Sequence, residues 1–218
     1  MLEIRDLQQG DMETVLTLHR DAFEPVFLHE YQQLCEISLH DTDIRFIVAG
    51  DSSGIVGFGT HKTLSSDDVK ERSKILMHGR NLLKPLDDTD HVNSRKKFEK
   101  YLQGLIGNYN YRAEGIEIGS YRNPATEGDF MPQDNDIKAV SLAVTPKHQR
   151  RGIGRKLTEK LIEIARANNT SAIYADILGD ETGSSFKLYE SLGAMPIMKL
   201  RPLYPNGYAG IFVYLPLA

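Results

Sequence analysis

Apolar residues recur along this chain with two periods, and the switches between them mark its elements. Leu2–Ile4 reads as a short strand. Asp11 stands before Val15, Leu18, Ala22 and Phe23, which share one face of a helix that Asp11 can cap. Phe27, Tyr31, Leu34 and Cys35 carry a helical stripe over Phe27–Leu39. The period then shortens. Ile44–Ala49 and Ile55–Lys62 are β-branched and aromatic, and Gly50-Asp51-Ser52-Ser53-Gly54 between them predicts a hairpin. The polar stretch 63–135 holds two helical patterns. One is Phe98, Leu102, Leu105, Ile106 and Tyr109; a weaker one, Ile75, Leu76, Leu82 and Leu83, stops at Pro85. Its tail is glycine-punctuated and reads as irregular.

Regular structure resumes at Lys138–Thr145, a strand broken by Pro146. A strong helix follows over 154–168, with Leu157, Leu161, Ile164, Ala165 and Asn168 at successive helical offsets. Strand Ala172–Leu178 leads to a short helix, Ser184–Leu192, closed by Gly193. Ile197–Leu203 and Ile211–Leu215 close as a hairpin around Pro205-Asn206-Gly207. The strand–helix–strand–helix order of the second half argues for a local parallel crossover inside a mixed sheet.

Composition narrows the class. A chain of 218 residues can bury a full core as one domain. Net charge −4 gives the whole molecule no attraction for nucleic acid, so any basic patch is local. The apolar runs are strand-sized, which predicts no membrane partner, and the N-terminus lacks a signal-peptide layout. The single cysteine, Cys35, excludes an internal disulfide and fits a cytoplasmic, reducing home; on its apolar stripe it reads as packing. The histidines show no metal-ligand spacing, so no metal is expected.

The chemistry concentrates in Thr145-Pro146-Lys147-His148-Gln149-Arg150-Arg151-Gly152-Ile153-Gly154-Arg155-Lys156, which joins an apolar strand to a long helix. Gly152 and Gly154 let the backbone bend and approach a ligand closely. The first helical turn offers amide hydrogens without intrahelical partners, at the positive end of the macrodipole. Cations here cost roughly 0.3–1 kcal/mol each if exposed, and no acidic side chain relieves them. An anion, and a pyrophosphate above all, offsets that cost. The nucleotide-triphosphate loop and the dinucleotide fingerprint are both excluded, because the required lysine-serine pair and third glycine are missing.

Gln149-Arg150-Arg151-Gly152-Ile153-Gly154 resembles the Gln/Arg-x-x-Gly-x-Gly/Ala motif of the Gcn5-related N-acetyltransferase (GNAT) superfamily. Leu142-Ala143-Val144-Thr145-Pro146 resembles the strand before it. Ser185-Phe186-Lys187-Leu188-Tyr189-Glu190-Ser191-Leu192-Gly193-Ala194 is similar to that family's later helix. The likeness spans 1–62 and 138–215 and leaves out 63–135. It implies a mixed α/β fold whose central sheet is mostly antiparallel and flanked by helices. Residues 1–218 would form a single domain, with 63–135 as a helical insertion before the CoA-binding strand that shapes the acceptor site.

The resemblance also implies roles. The Leu142 N–H would polarise the thioester carbonyl of acetyl-CoA, and Val144 would pair with pantetheine through its backbone. Arg150, Arg151, Gly152, Gly154 and Arg155 would hold the phosphates. Thr182 and Ser185 stand where the family often has asparagine and alanine, and remain capable of hydrogen bonds to pantetheine. Tyr189 stands at the position that protonates the departing sulfur, or else packs beside Phe186 and Leu192. The proton acceptor for the amine has no clear bearer. Lys138 and Val140 fill the usual positions, leaving Asp136, His61 and, more remotely, Glu117 as candidates by location. His148 reads as solvated or close to phosphate.

The resulting expectation is an acetyl-CoA-dependent N-acetyltransferase acting on a primary amine of a small molecule or peptide by direct attack in a ternary complex. The alternative is an inactive acyl-CoA-binding sensor or partner module of the same fold. Oligomeric state is open, a homodimer being allowed.

Overall fold

Ile44–Ala49 and Ile55–Lys62 pair as their alternation predicts. The computed structural model describes residues 2–23, 36, 38–40, 43–70, 73, 117–120, 131–179, 181–201 and 210–217. Its strands are β1 (Glu3–Asp6), β2 (Ile44–Asp51), β3 (Gly54–Thr63), β4 (Glu117–Ser120), β5 (Ile137–Val144), β6 (Ala172–Leu178), β7 (Met195–Arg201) and β8 (Gly210–Pro216). Its α-helices are α1 (Met12–Ala22), α2 (Ile153–Ala167) and α3 (Ser184–Ser191), with short 3-10 turns at Gln9–Asp11 and Pro146–His148. The fold class is the expected one: mixed α/β with mostly antiparallel strands.

Two compact units are distinguished. The first holds Met1–Thr63, Ile137–Ile173 and Leu217. Its strands lie in the order β1-β2-β3-β5, each antiparallel to its neighbour. The alternation of β2 divides its side chains between two cores. Phe46 and Val48 join Val15, Ile44, Phe58 and Ala143 on the α1 side. Ile47 and Ala49 join Val56, Ile153 and Leu157 on the α2 side. Leu157 is 1% exposed, so its truncation to alanine costs about 2–5 kcal/mol.

Two details of α1 differ from the pattern reading. Asp11 does not cap it, because Asp11 is itself in a helical conformation at the end of the 3-10 turn. Its carboxylate instead accepts the Gln8 N–H at 2.8 Å and an ion pair from Arg5, which holds it below the usual carboxylate range. Ala22 faces solvent, and His19, one turn beyond Val15, takes the buried place. A polar letter at an inward position had hidden it. The Phe27–Leu39 helix, including Cys35 but apart from 36 and 38–39, and both helical patterns between 75 and 109 lie outside the described residues.

The second unit holds Leu64–Asp136, Tyr174–Pro216 and Ala218. Its strand order is β6-β8-β7-β4. β7 pairs antiparallel with both β8 and β4. Strand β4 corrects the reading of the 63–135 tail as irregular. Glu-Ile-Gly-Ser has one apolar residue in four, too little for an alternating signal, and its ladder with β7 makes it a strand. At the other end of that stretch, the Ser65 N–H bonds the Asp68 carboxylate at 3.0 Å and the Asp68 N–H bonds Ser65 Oγ at 3.3 Å, a capping box starting a helical turn. Tyr174 and Tyr214 meet edge to face at 5.4 Å.

Candidate functional site

Backbone direction along β5 follows from one hydrogen bond. The Thr145 N–H donates to the Val56 carbonyl on β3 at 2.9 Å. Successive peptide groups of a strand point to opposite sides. Ala143 therefore addresses β3, while the amides of Leu142 and Val144 point away from it. The Val144 carbonyl, on that far side, accepts Gln149 Nε2 at 3.1 Å. A β-bulge between Thr60 and His61 leaves Val140 as the extra residue of β5, because Thr60 pairs with Ser141 and His61 with Ala139. Val140 is 38% exposed.

Between β5 and α2 the chain makes a tight turn with two left-handed residues, Arg150 at φ 61° and Gly152 at φ 78°. Gly152 is the N-cap of α2 and has no side chain to satisfy the first-turn amides. A Cβ built on Gly152 meets nothing within 4 Å, so the space above the turn is open. The first turn of α2 contains no acidic residue. Arg150, Arg151, Arg155 and Lys156 are all exposed around it. Arg155 Nε bonds Glu159 at 2.8 Å, along the helix. Ile153, the first helical residue, is buried with Leu157 against β2 and β3, which fixes the helix start to the sheet.

His148, expected to be solvated or close to phosphate, is partly exposed and has two polar neighbours. Its Nδ1 lies 2.8 Å from Thr145 Oγ1, and its Nε2 lies 3.5 Å from the Asp51 carboxylate at the β2–β3 turn. Asp51 is held below the usual range first by the Ser53 hydroxyl and amide, and also by His148. Asp51 and His148 are distant in sequence, so no spacing pattern pairs them.

The proton-transfer candidates sit in different settings. His61, on β3 of the first unit, is 2% exposed, and its Nδ1 has no hydrogen-bond partner among the described residues. Burial, aided by Arg45, pushes its pKa down to about 4. Asp136, in the second unit, is 1% exposed; its carboxylate accepts the Gln133 N–H at 2.8 Å and its carbonyl accepts the Leu64 N–H at 2.7 Å. Tyr189 and Ser185 lie on α3 of the second unit, Ser185 exposed in the first turn and Tyr189 buried. Burial and then the Asp176 carboxylate push the Tyr189 phenol up, so it stays protonated at neutral pH. Glu117 is a β4 residue described by its backbone alone. Among the described residues no group of His, Cys, Asp and Glu could hold a metal ion.

Comparison with known proteins bears on this geometry directly. Residues 119–194 match the sequence profile of the Acetyltransferase (GNAT) family. That stretch runs from β4 through β5, the turn, α2, β6 and α3. The chain has the GNAT fold. Solved structures agree along its whole length. The ribosomal-protein-S18-alanine N-acetyltransferase of Escherichia coli has a TM-score of 0.59 at 15% identity, covering 100% of this chain and 95% of that one. NAA60 of Arabidopsis thaliana, solved in complex with acetyl-CoA, has a TM-score of 0.60 at 14% identity, covering 100% and 99%. Ard1 of Thermoplasma volcanium has a TM-score of 0.59 at 12% identity, covering 100% and 98%. No curated protein matches the sequence. The GNAT profile begins at 119, inside the stretch 63–135 that the resemblance had left out.

Proposed function

We propose that this GNAT-fold protein binds acetyl-CoA through β5, the 149–155 turn and the first turn of α2, and transfers the acetyl group to a primary amine of a small molecule or peptide. The observation that carries the reading is the uncapped start of α2. An open left-handed glycine, a first turn without acidic residues and its free-standing amides, with the exposed cations Arg150 and Arg151 beside them, together form an anion receptor. A diphosphate complements it in charge, and the likeness to an acetyl-CoA complex of the same fold supports that choice of ligand.

On this reading Gly152, Ile153, Gly154 and Arg155 hold the diphosphate by backbone amides, and Arg150 and Arg151 add charge. The Val144 backbone pairs with the pantetheine arm and Ser185 adds a hydroxyl contact. The Leu142 N–H stabilises the negative charge that builds on the thioester oxygen as the amine attacks in a ternary complex. A carbon–nitrogen bond forms, the carbon–sulfur bond breaks, and Tyr189 gives its proton to the departing thiolate, while the proton shed by the amine passes to solvent water and from there restores the phenol. Burial and Asp176 hold the phenol above its ordinary value, which keeps it in the protonated form that this step requires. Segment 63–135 shapes the acceptor side of a single domain. The protein works in the cytoplasm, without a metal; a homodimer is compatible with it.

A second reading, an acyl-CoA-binding sensor or partner module, is favoured by the state of the candidate bases. His61 is buried with a depressed pKa, and the Asp136 carboxylate is buried and bonded. Calorimetry with CoA and a thiol-detection assay of CoA release, run with polyamines, amino acids and peptides, separate the readings. Binding with turnover supports the transferase, and binding without turnover across the panel supports the module. No binding sinks both.

A further inference from the structure

We infer that Gly57 on β3 is a positioning residue for the cofactor site, setting how closely β5 and the start of α2 approach each other. The inference rests on the acetyl-CoA reading above. Gly57 pairs with Val144 in the β3–β5 ladder. A Cβ built on Gly57 would lie 2.9 Å from the Ala143 carbonyl oxygen, 3.3 Å from Val144 Cγ2 and 3.5 Å from Ile153 Cγ2. The first of these is closer than side chains tolerate, and the atom it meets is backbone, which cannot rotate aside. The second is tight. All three touched residues belong to the cofactor apparatus: Ala143 and Val144 carry the strand whose outer amides face the ligand, and Ile153 is the first residue of α2.

A methyl group at this position must therefore move β5, or α2, or both. Because Thr145 hangs from Val56 by its N–H, one residue before Gly57, the turn 149–155 would shift with them. Backbone donors do not retune themselves as a flexible side chain can. A misplacement of about 1 Å at a catalytic site can cost on the order of 10²-fold in rate. Gly59, two residues on along the same strand, provides the internal comparison. A Cβ there meets Ile47 and Leu142 side chains at 3.5–3.7 Å, ordinary contact. Two glycines on one strand thus differ in what their missing side chains permit.

The test compares Gly57→Ala, Gly59→Ala and Val15→Ala with the unaltered protein, by CoA calorimetry, thermal unfolding and amide chemical shifts. Val15 is fully buried in the α1-side core and reports loss of stability without a role at the site. Gly57→Ala is expected to weaken CoA binding about 10- to 100-fold, the loss of one hydrogen bond to a charged phosphate, and to shift the amide signals of Ala143, Val144 and Ile153–Arg155. Gly59→Ala and Val15→Ala keep near-normal CoA affinity, the latter despite a lower melting temperature. CoA affinity of Gly57→Ala equal to that of Val15→Ala at matched stability overturns the inference. If Gly57→Ala does not fold, Ile153→Ala removes the buried side chain that lies over Gly57 and leaves the α2 backbone donors in place; it must weaken CoA binding relative to Val15→Ala at matched stability, and equal affinity overturns the inference. An unaltered protein that binds no CoA defeats the acetyl-CoA reading itself, while the chemical shifts still judge the steric claim.

Discussion

Replacing Gly152 by alanine separates what the turn costs the protein from what it does for a ligand. Gly152 has φ 78°, where a residue with a Cβ is disfavoured by about 1–2 kcal/mol. Its Cβ would meet no protein atom within 4 Å, so no clash adds to that figure. Gly54 and Gly193, at φ 109° and φ 92°, are likewise open and lie further from the left-handed helical well, so alanine there carries at least that backbone cost. Gly152→Ala should therefore lose no more stability than the other two in urea or thermal unfolding. The three should diverge in calorimetry with CoA. If a diphosphate seats on the α2 amides, the new methyl group occupies the space the ligand needs. Gly152→Ala should then lose at least tenfold in affinity, about 1.4 kcal/mol or more, while the other two bind normally. Gly152→Ala with that stability loss and unchanged CoA affinity would refute the claim that phosphate approaches this backbone.

The arginines around the turn should differ among themselves. Arg150→Ala and Arg151→Ala should each weaken CoA binding by about 3- to 10-fold and flatten its salt dependence. Arg155→Ala should change little, since its guanidinium is already bonded to Glu159; calorimetry at low and high salt checks all three. Tyr189→Phe should lower kcat by about 10²-fold with KM for acetyl-CoA unchanged; kcat within a few-fold of normal would remove the phenol from proton transfer. Stability should fall between pH 6.5 and about 4, because burial drives the pKa of both His19 and His61 from 6.5 to about 4. In that window the unfolded chain binds more protons than the folded one, so each unit of acidification costs up to about 1.4 kcal/mol per histidine. Urea titrations of His19→Gln and His61→Gln should show a shallower decline.

Much of the fold was legible because it follows local patterns. The β2–β3 hairpin, β6, α2 and α3 each carry a strong period bounded by turn residues, and each appears within a residue or two of its expected limits. β4 was not legible, since four residues with a single isoleucine carry no period and its partner strand is distant in sequence. His19 was missed for a related reason: a polar residue takes an inward place only when its neighbours in space, Phe23 and Phe58, are known.

The turn between β5 and α2 shows the same division. Glycine placement, charge and helix start are properties of consecutive residues, so the chain by itself determined an uncapped, cation-rich helix N-terminus after an apolar strand. Tertiary structure alone decided which way the β5 amides point, because that depends on the hydrogen bond from Thr145 to Val56. It also decided that His148 lies beside Asp51, that Gly57 admits no side chain, and that His61 and Asp136 are buried. Each of these is a relation between residues far apart along the chain, set by how strands register and which faces helices cover. A linear pattern states what a residue can do; packing sets what surrounds it, and with that its proton affinity and its reach.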